Sequence, residues 1–288
     1  MYPNRVLRGV AALILVVALA GCAMLPWDRP AATFSPEPGP DPAPAVTQPP
    51  QPTTGVVGIV IDPTASTGRT FRESVRTAIV DQLAAVVPAK PTDAAQGVAP
   101  VNGISVQLKL VVTNGYAYGS PTLSVEIPPV RGLASRPPVN TTTMDDGTYA
   151  AWKQAKTAWE QEYGTALAAQ AAAVRELGSF SLTVPGAQRS GISSTLGALA
   201  ASIPPTNRAA FIVASDLEEN VTSAVTGTLD GHPVTLIVPC NASATACAAR
   251  QDNFAAWATD ELQAGPVTAY RPENTAQAIA AAFSEVLS

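Results

Sequence analysis

The chain has 288 residues, with 17 Lys and Arg against 22 Asp and Glu and a formal net charge of −5. An acidic balance argues against nucleic acid as a partner, because phosphate binding needs a basic face. Only 14% of the residues are charged and 47% are hydrophobic, a balance that suits a compact exported domain.

At the N-terminus, Arg5 and Arg8 precede an apolar run from Val10 to Ala20, which ends in Leu19-Ala20-Gly21-Cys22. A charged start, a short apolar stretch and small residues at its end form the pattern of an export signal. A membrane-spanning helix needs about 20 apolar residues; this run is shorter and soon meets Pro26, Asp28 and Pro30. The Leu-Ala-Gly-Cys ending resembles the lipobox of bacterial lipoproteins. That resemblance implies that residues 1–21 are removed and that Cys22 takes a diacylglyceryl group as the new N-terminus. The protein would then be anchored to the bacterial cell membrane through lipid alone, with its domain on the extracytoplasmic side. An ordinary secretory signal with an incidental cysteine is the alternative. Loss of residues 1–21 removes two arginines and no acid, so 15 minus 22 leaves a formal charge of −7.

Residues 22–54 read as a tether. From Pro26 to Pro52 the chain holds ten prolines and few bulky apolar residues after Trp27, so it lacks the material for a core. Proline-rich chain favours extended polyproline II at about 3.1 Å per residue, which makes a spacer. Residues 55–288 then supply 234 residues, enough for one α/β domain or two small ones.

The run Val56-Val57-Gly58-Ile59-Val60-Ile61 is apolar and mostly β-branched, as expected of a strand covered on both faces. Phe71, Val75, Ile79, Leu83 and Val86 then recur every three or four residues, predicting a helix. Thr70 and Glu73 fit a capping box for it, and Pro88 ends the pattern. Strands are expected at Ile104 to Thr113 and Leu123 to Ile127, joined as a hairpin around Tyr118-Gly119-Ser120.

From Thr148 to Leu177 strong helix formers run almost unbroken, predicting a helix about 45 Å long. Trp152, Trp159, Tyr163, Ala166, Val174 and Leu177 lie near one face of it. Either that stripe packs on the domain or the helix is an arm that meets a partner. Further strands are expected at Phe211 to Ala214, Val234 to Val238 and Val267 to Tyr270, with helices at Leu196 to Ile203, Gln251 to Ala264 and Thr275 to Leu287. Gly265 fits a C-cap. Strands alternating with helices define an α/β fold: a mostly parallel central sheet with helices on both faces, of Rossmann type, carrying the long helix as an insertion.

After Cys22, the remaining cysteines are Cys240 and Cys247. In an exported chain they are expected to pair, stabilising by about 2 to 3 kcal/mol in the chain-entropy model. A zinc site with His232, the single histidine, would be short of ligands. Asn140, Asn220 and Asn241 each open an Asn-X-Ser/Thr triplet, the N-glycosylation acceptor pattern; beside a bacterial lipobox these are chance matches.

Chemistry concentrates after the first buried strand, where Asp62, Thr64 and Ser66 place oxygen-bearing side chains at alternate positions. In open α/β sheets, the carboxyl ends of strands are where ligands bind. Carboxylate and hydroxyl oxygens suit a hard cation such as Mg²⁺, Mn²⁺ or Ca²⁺. A second acidic group, Asp216-Leu217-Glu218-Glu219, follows another strand, and Gly191-Ile192-Ser193-Ser194-Thr195 leads into a helix. Together these residues resemble the metal-ion-dependent adhesion site of von Willebrand factor A-type domains. Asp62, Thr64 and Ser66 match the family's Asp-X-Ser-X-Ser motif, with threonine in the middle. Asp216 matches its late aspartate, although Leu217 stands where the family usually has glycine. Its middle threonine falls on Ser193, with Thr195 the nearest alternative. The resemblance implies metal-dependent binding of an envelope or extracellular protein whose acidic side chain completes the metal shell. Asp62 and Thr64 as mere turn and helix caps are the competing explanation.

Asp62 after a buried strand also resembles the nucleophile of haloacid dehalogenase-like phosphatases, but Thr64 replaces the second aspartate that acts as their general acid. No Gly-X-Ser-X-Gly elbow and no phosphate-binding glycine loop is present. A solute-binding lipoprotein of a transport system is the remaining alternative, although those usually need two lobes. The sequence therefore points to a binding module rather than an enzyme.

Overall fold

Val56, Val57, Ile59, Val60 and Ile61 are all fully buried, and the strand they form, β1 (Thr54–Ile61), runs through the middle of the sheet. The computed structural model describes residues 51–111, 122–137, 146–205, 207–219, 225–240 and 242–288. Cys22 with the expected signal and nearly all of the expected tether, the turn expected at residues 118–120, and Asn140, Asn220 and Asn241 lie outside those residues. β1 pairs in parallel with β2 (Gly103–Leu110) on one side and with β4 (Ala209–Ala214) on the other. β3 (Thr122–Ile127) closes one edge antiparallel to β2, with Ile104 opposite Ile127. β5 (Val234–Ile237) and β6 (Val267–Tyr270) extend the other side in parallel. The order β3-β2-β1-β4-β5-β6 reverses direction at β1 and β4, which makes this a doubly wound α/β sheet with its switch point between those strands.

The two faces of the sheet carry two cores. Val57, Ile59 and Ile61 point to one, with α1 (Arg69–Ala85), α2 (Asp146–Ser179) and α5 (Thr275–Leu287). Val56 and Val60 point to the other, with α3 (Ile192–Ala200) and α4 (Ala244–Leu262). Gly58 shares that second face because the ring of Phe211 lies over it; a Cβ there would stand 2.7 Å from Phe211 Cδ1. On β2 the second face turns to Ser105, Gln107 and Lys109, all half-buried, in keeping with its place beside an antiparallel edge strand.

The long helix packs on the domain. Trp159, Tyr163, Ala166, Ala173 and Leu177 are buried in the first core and recur at the spacing of one helical face. Gln170 falls within that stripe and ties α2 to the end of α1: its amide N–H donates to Ala84 O at 2.9 Å and its carbonyl accepts from Val87 N at 2.6 Å. The first of these bonds satisfies a carbonyl that a helix C-terminus leaves without an intrahelical partner. The Tyr163 hydroxyl donates to Pro88 O at 2.7 Å. Trp152 fastens the first third of α2 by donating from its indole N–H to Ala134 O at 3.0 Å. Among the described residues, no helix is long and apolar enough to cross a membrane.

Several expected boundaries shift. α3 begins at Ile192 rather than Leu196, and α4 begins at Ala244 rather than Gln251, with the Ser243 hydroxyl accepting from Ala246 N as its cap. Both starts are rich in Ser, Thr and Ala and carry no apolar periodicity. The Thr70/Glu73 capping box does not form. α1 starts after Gly68, at φ 72°, and Glu73 pairs with Arg76 instead. The C-cap of α4 is Gln263 in the left-handed region, φ 56°, not Gly265. Gly265 serves a close approach: a Cβ there would lie 2.1 Å from Gly231 O.

If α2 is part of the folded core, Tyr163→Ala lowers unfolding stability in urea by about 3 to 5 kcal/mol. Gly164→Ala on the open face of the same helix, where a Cβ meets nothing within 4 Å, raises it by up to about 1 kcal/mol.

Candidate functional site

The register of the two central strands sets the loops that carry Asp62 and Asp216 side by side. Ile61 lies opposite Ala214, and Asp62 N carries the ladder one step further by donating to Ala214 O at 3.0 Å. Asp62 and Ser215 are therefore neighbours at the carboxyl edge, at the switch point. Asp62 is 0% exposed. Its Oδ1 accepts from Thr64 N at 2.9 Å and from the Thr64 hydroxyl at 2.7 Å. Its Oδ2 accepts from the Ser190 hydroxyl at 2.8 Å and the Ser215 hydroxyl at 3.0 Å. Four donors use about the full acceptor capacity of a carboxylate, which offsets the large penalty of burying its charge.

A cation of the protein's own stands beside it. Arg72, 7% exposed, donates from Nη1 to Thr64 O at 2.7 Å and to the Thr67 hydroxyl at 3.0 Å. Burial lowers its pKa, opposed first by the charge of Asp62, and an arginine keeps its proton in a protein. The Thr67 hydroxyl shares its proton between Asp62 O and Thr64 O, at 2.9 Å to each. These bonds close the turn Ala65–Thr67 that leads into α1.

The hydroxyls of Thr64 and Ser66 are hydrogen-bonded at 3.1 Å, Ser66 at the surface donating because the proton of Thr64 goes to Asp62. Neighbouring oxygens of an octahedral shell with 2.0–2.1 Å bonds are also about 3 Å apart, so this hydrogen-bonded pair is compatible in spacing with two ligands to one small hard cation. Because Thr64 spends its proton on Asp62, its lone pairs are what it offers outward.

On the β4 side, Asp216 Oδ1 accepts from Glu218 N at 3.1 Å, and the Ser215 hydroxyl accepts from Leu217 N at 3.1 Å. Leu217 has φ 58°, the left-handed region where glycine is at home and other residues lose about 1–2 kcal/mol. Glu218 pairs with Arg250 of α4 at 2.6 Å. Glu219 reaches α3, where its carboxylate accepts from Ser193 N at 3.1 Å and from the Ser193 hydroxyl. Thr195, 1% exposed, turns back and donates to Gly191 O at 2.8 Å. Of the two candidates for the middle hydroxyl, Ser193 is the one tied to the loop that carries Asp216.

Sequence reasoning missed Ser190, Ser215, Arg72 and Glu219. Arg72 had a local signal, since it falls three residues before Val75 in the apolar stripe of α1. Glu219 had a weaker one, as part of the acidic run after β4. Ser190 had none, because its partner is 128 residues away.

Cys240 and Cys247 come together as a disulfide across the start of α4, with Cα atoms 6.1 Å apart. His232 precedes β5 and lies tilted against Phe211, with ring centroids 6.5 Å apart, whereas Cys240 follows the far end of that strand. A zinc site built from the three is therefore excluded by both the pairing and the placement. No protein-family model matches the chain, and no curated protein is significantly similar to it.

Asp62→Asn replaces an acceptor oxygen with an N–H₂ facing hydroxyl donors and leaves Arg72 without its neighbouring charge. The expected loss is about 2 to 5 kcal/mol of unfolding stability, measured in urea with EDTA present; a loss below about 0.5 kcal/mol would show that Asp62 does not hold this edge together.

Proposed function

We propose that this protein is a lipoprotein anchored through Cys22 to the extracytoplasmic side of the cell membrane, whose domain binds an envelope or extracellular protein through a divalent-metal adhesion site. The observation that carries the metal part is the Thr64–Ser66 oxygen pair at 3.1 Å, at the switch point of a doubly wound sheet. Thr64, Ser66 and Ser193 are the hydroxyl ligands in this reading. Asp62 and Asp216 act from behind them, the first by taking the proton of Thr64 and the second through water. When bound, Mg²⁺, Mn²⁺ or Ca²⁺ supplies a Lewis-acidic position for a carboxylate of the partner. The neutral ligands leave that position electrophilic, because Asp62 already shares its charge with Arg72.

The same geometry weighs against the phosphatase alternative. A nucleophilic aspartate needs a lone pair open to phosphorus, and both oxygens of Asp62 are buried and twice bonded. A two-lobed solute binder is disfavoured as well, since residues 48–288 make one compact unit around one sheet.

Calorimetric titration of the full chain in detergent micelles with Mg²⁺, Mn²⁺ and Ca²⁺ tests the site. Wild type gives binding heat with at least one ion at millimolar concentration, and Ser66→Ala weakens it by about tenfold or more; an athermal, metal-indifferent wild type sinks the proposal. For the anchor, a bacterial host fed labelled palmitate incorporates label into the wild type and not into Cys22→Ser. Equal labelling of the two would refute lipidation at Cys22.

A further inference from the structure

A serine in the first turn of a helix can turn its hydroxyl back to a backbone carbonyl or outward to another group. Ser194 and Thr195 turn back, and both donate to Gly191 O. Ser193 does not. Its hydroxyl and its backbone N–H both donate to one carboxylate, that of Glu219. Thr64 is held in the same way, with its hydroxyl and its N–H both donating to the carboxylate of Asp62. The two carboxylates sit on the loops that leave β1 and β4, and these loops are themselves joined by the Ser215–Asp62 bond. Burial explains the first pair, because Asp62 has no solvent to turn to. In the second pair it is the donor that is buried, since Glu219 is exposed while Ser193 is 9% exposed in the first turn of α3, where its N–H has no intrahelical partner.

What the pairs share is the fate of the hydroxyl proton. A hydroxyl has one proton and two lone pairs; once the proton is committed to a carboxylate, only lone pairs are offered elsewhere, and they are polarised by the adjacent negative charge. That is the state a hydroxyl needs in order to bind a hard cation. We propose that Glu219 is a positioning residue for the divalent ion: it takes the proton of Ser193 and aims that hydroxyl as a ligand, as Asp62 does for Thr64. The inference rests on the hydroxyl-based metal reading given above. It adds a carboxylate to the residues that govern affinity, with Glu219 acting through Ser193 and not touching the ion. Gln at this position keeps one acceptor oxygen, but it can no longer take both donors with a charged group.

The test is a titration of the full chain in detergent micelles with Mn²⁺, in which free Mn²⁺ is read by electron paramagnetic resonance. Wild type, Glu219→Gln, Ser193→Ala and the double variant are compared, and the melting temperature of each is taken in EDTA. Glu219→Gln and Ser193→Ala each weaken Mn²⁺ binding by about 10- to 100-fold, and the double variant binds no more weakly than Ser193→Ala alone. A purely structural Glu219 would shift the melting temperature in EDTA and leave the Mn²⁺ affinity of the folded protein unchanged, which overturns the inference. Multiplying losses in the double variant also overturn it, since Glu219 would then act by another route. Ser193→Ala carries the test if Glu219→Gln fails to fold: wild-type Mn²⁺ affinity in Ser193→Ala removes the hydroxyl on which Glu219 works. Absence of Mn²⁺ binding by the wild type is a different outcome, which takes down the metal site itself.

Discussion

Everything at the carboxyl edge of the sheet is arranged around one buried carboxylate that accepts four hydrogen bonds. Asp62 draws donors from its own turn, from Ser215 at the end of β4 and from Ser190 ahead of α3, so three chain segments meet at one side chain. Leaving a buried donor unmatched costs about 1–3 kcal/mol, so each contributing segment is held in place by the expense of letting go. The positive charge of Arg72, also buried, balances the site and fixes the turn that carries Thr64 and Ser66. A switch point in a doubly wound sheet is a crevice by topology. At this one, the walls are set by a polar network rather than by apolar packing.

That dependence explains which parts of the protein were legible in the sequence. Elements whose identity rests on apolar pattern came out close to their true bounds: β1 from its continuous β-branched run, α5 at Thr275–Leu287, and the long helix within two residues at each end. The starts of α3 and α4 were missed because Ser, Thr and small residues there carry no periodicity and read as loop. Within the site, Asp62, Thr64 and Ser66 stand out by alternation over five residues. Ser190 and Ser215 are ordinary serines in sequence and become partners of Asp62 only when strand register and the return of the chain before α3 bring them there. A local pattern reports what a segment will become; it is silent on which distant donor a buried acceptor will require.

Leu217 and Thr64, the two residues that differ from the adhesion-site pattern the sequence resembles, are held differently. At Leu217 the backbone adopts the left-handed conformation in which glycine is at home, and the side chain is folded inward, where it is buried. Burial of a leucine contributes about 1.5–3 kcal/mol, which is of the size of the strain and of opposite sign. Leu217 also lies between residues tied to neighbouring elements, with Ser215 bonded to Asp62 and Glu218 to Arg250; strained backbone persists where its surroundings over-determine it. Threonine at position 64 keeps the hydroxyl that donates to Asp62, and its extra methyl group is accommodated, since the residue is 6% exposed.

Charge decides what such an edge can recruit. Asp62 is compensated by Arg72 and Glu218 by Arg250, which leaves Asp216 and Glu219 as the carboxylates of the two loops without a described cation partner. A dication there would be matched in formal charge by these two, yet in the proposed arrangement neither touches it, and the direct ligands are neutral hydroxyls. Overall neutrality with an under-filled first shell is a combination that favours holding the ion while leaving it able to accept one more anionic oxygen. A site ringed by directly coordinating carboxylates would hold the ion more tightly and have less use for a partner's acid. The hydroxyl-rich composition of this edge is therefore the physical link between the residues that fold it and the proposal that it binds another protein.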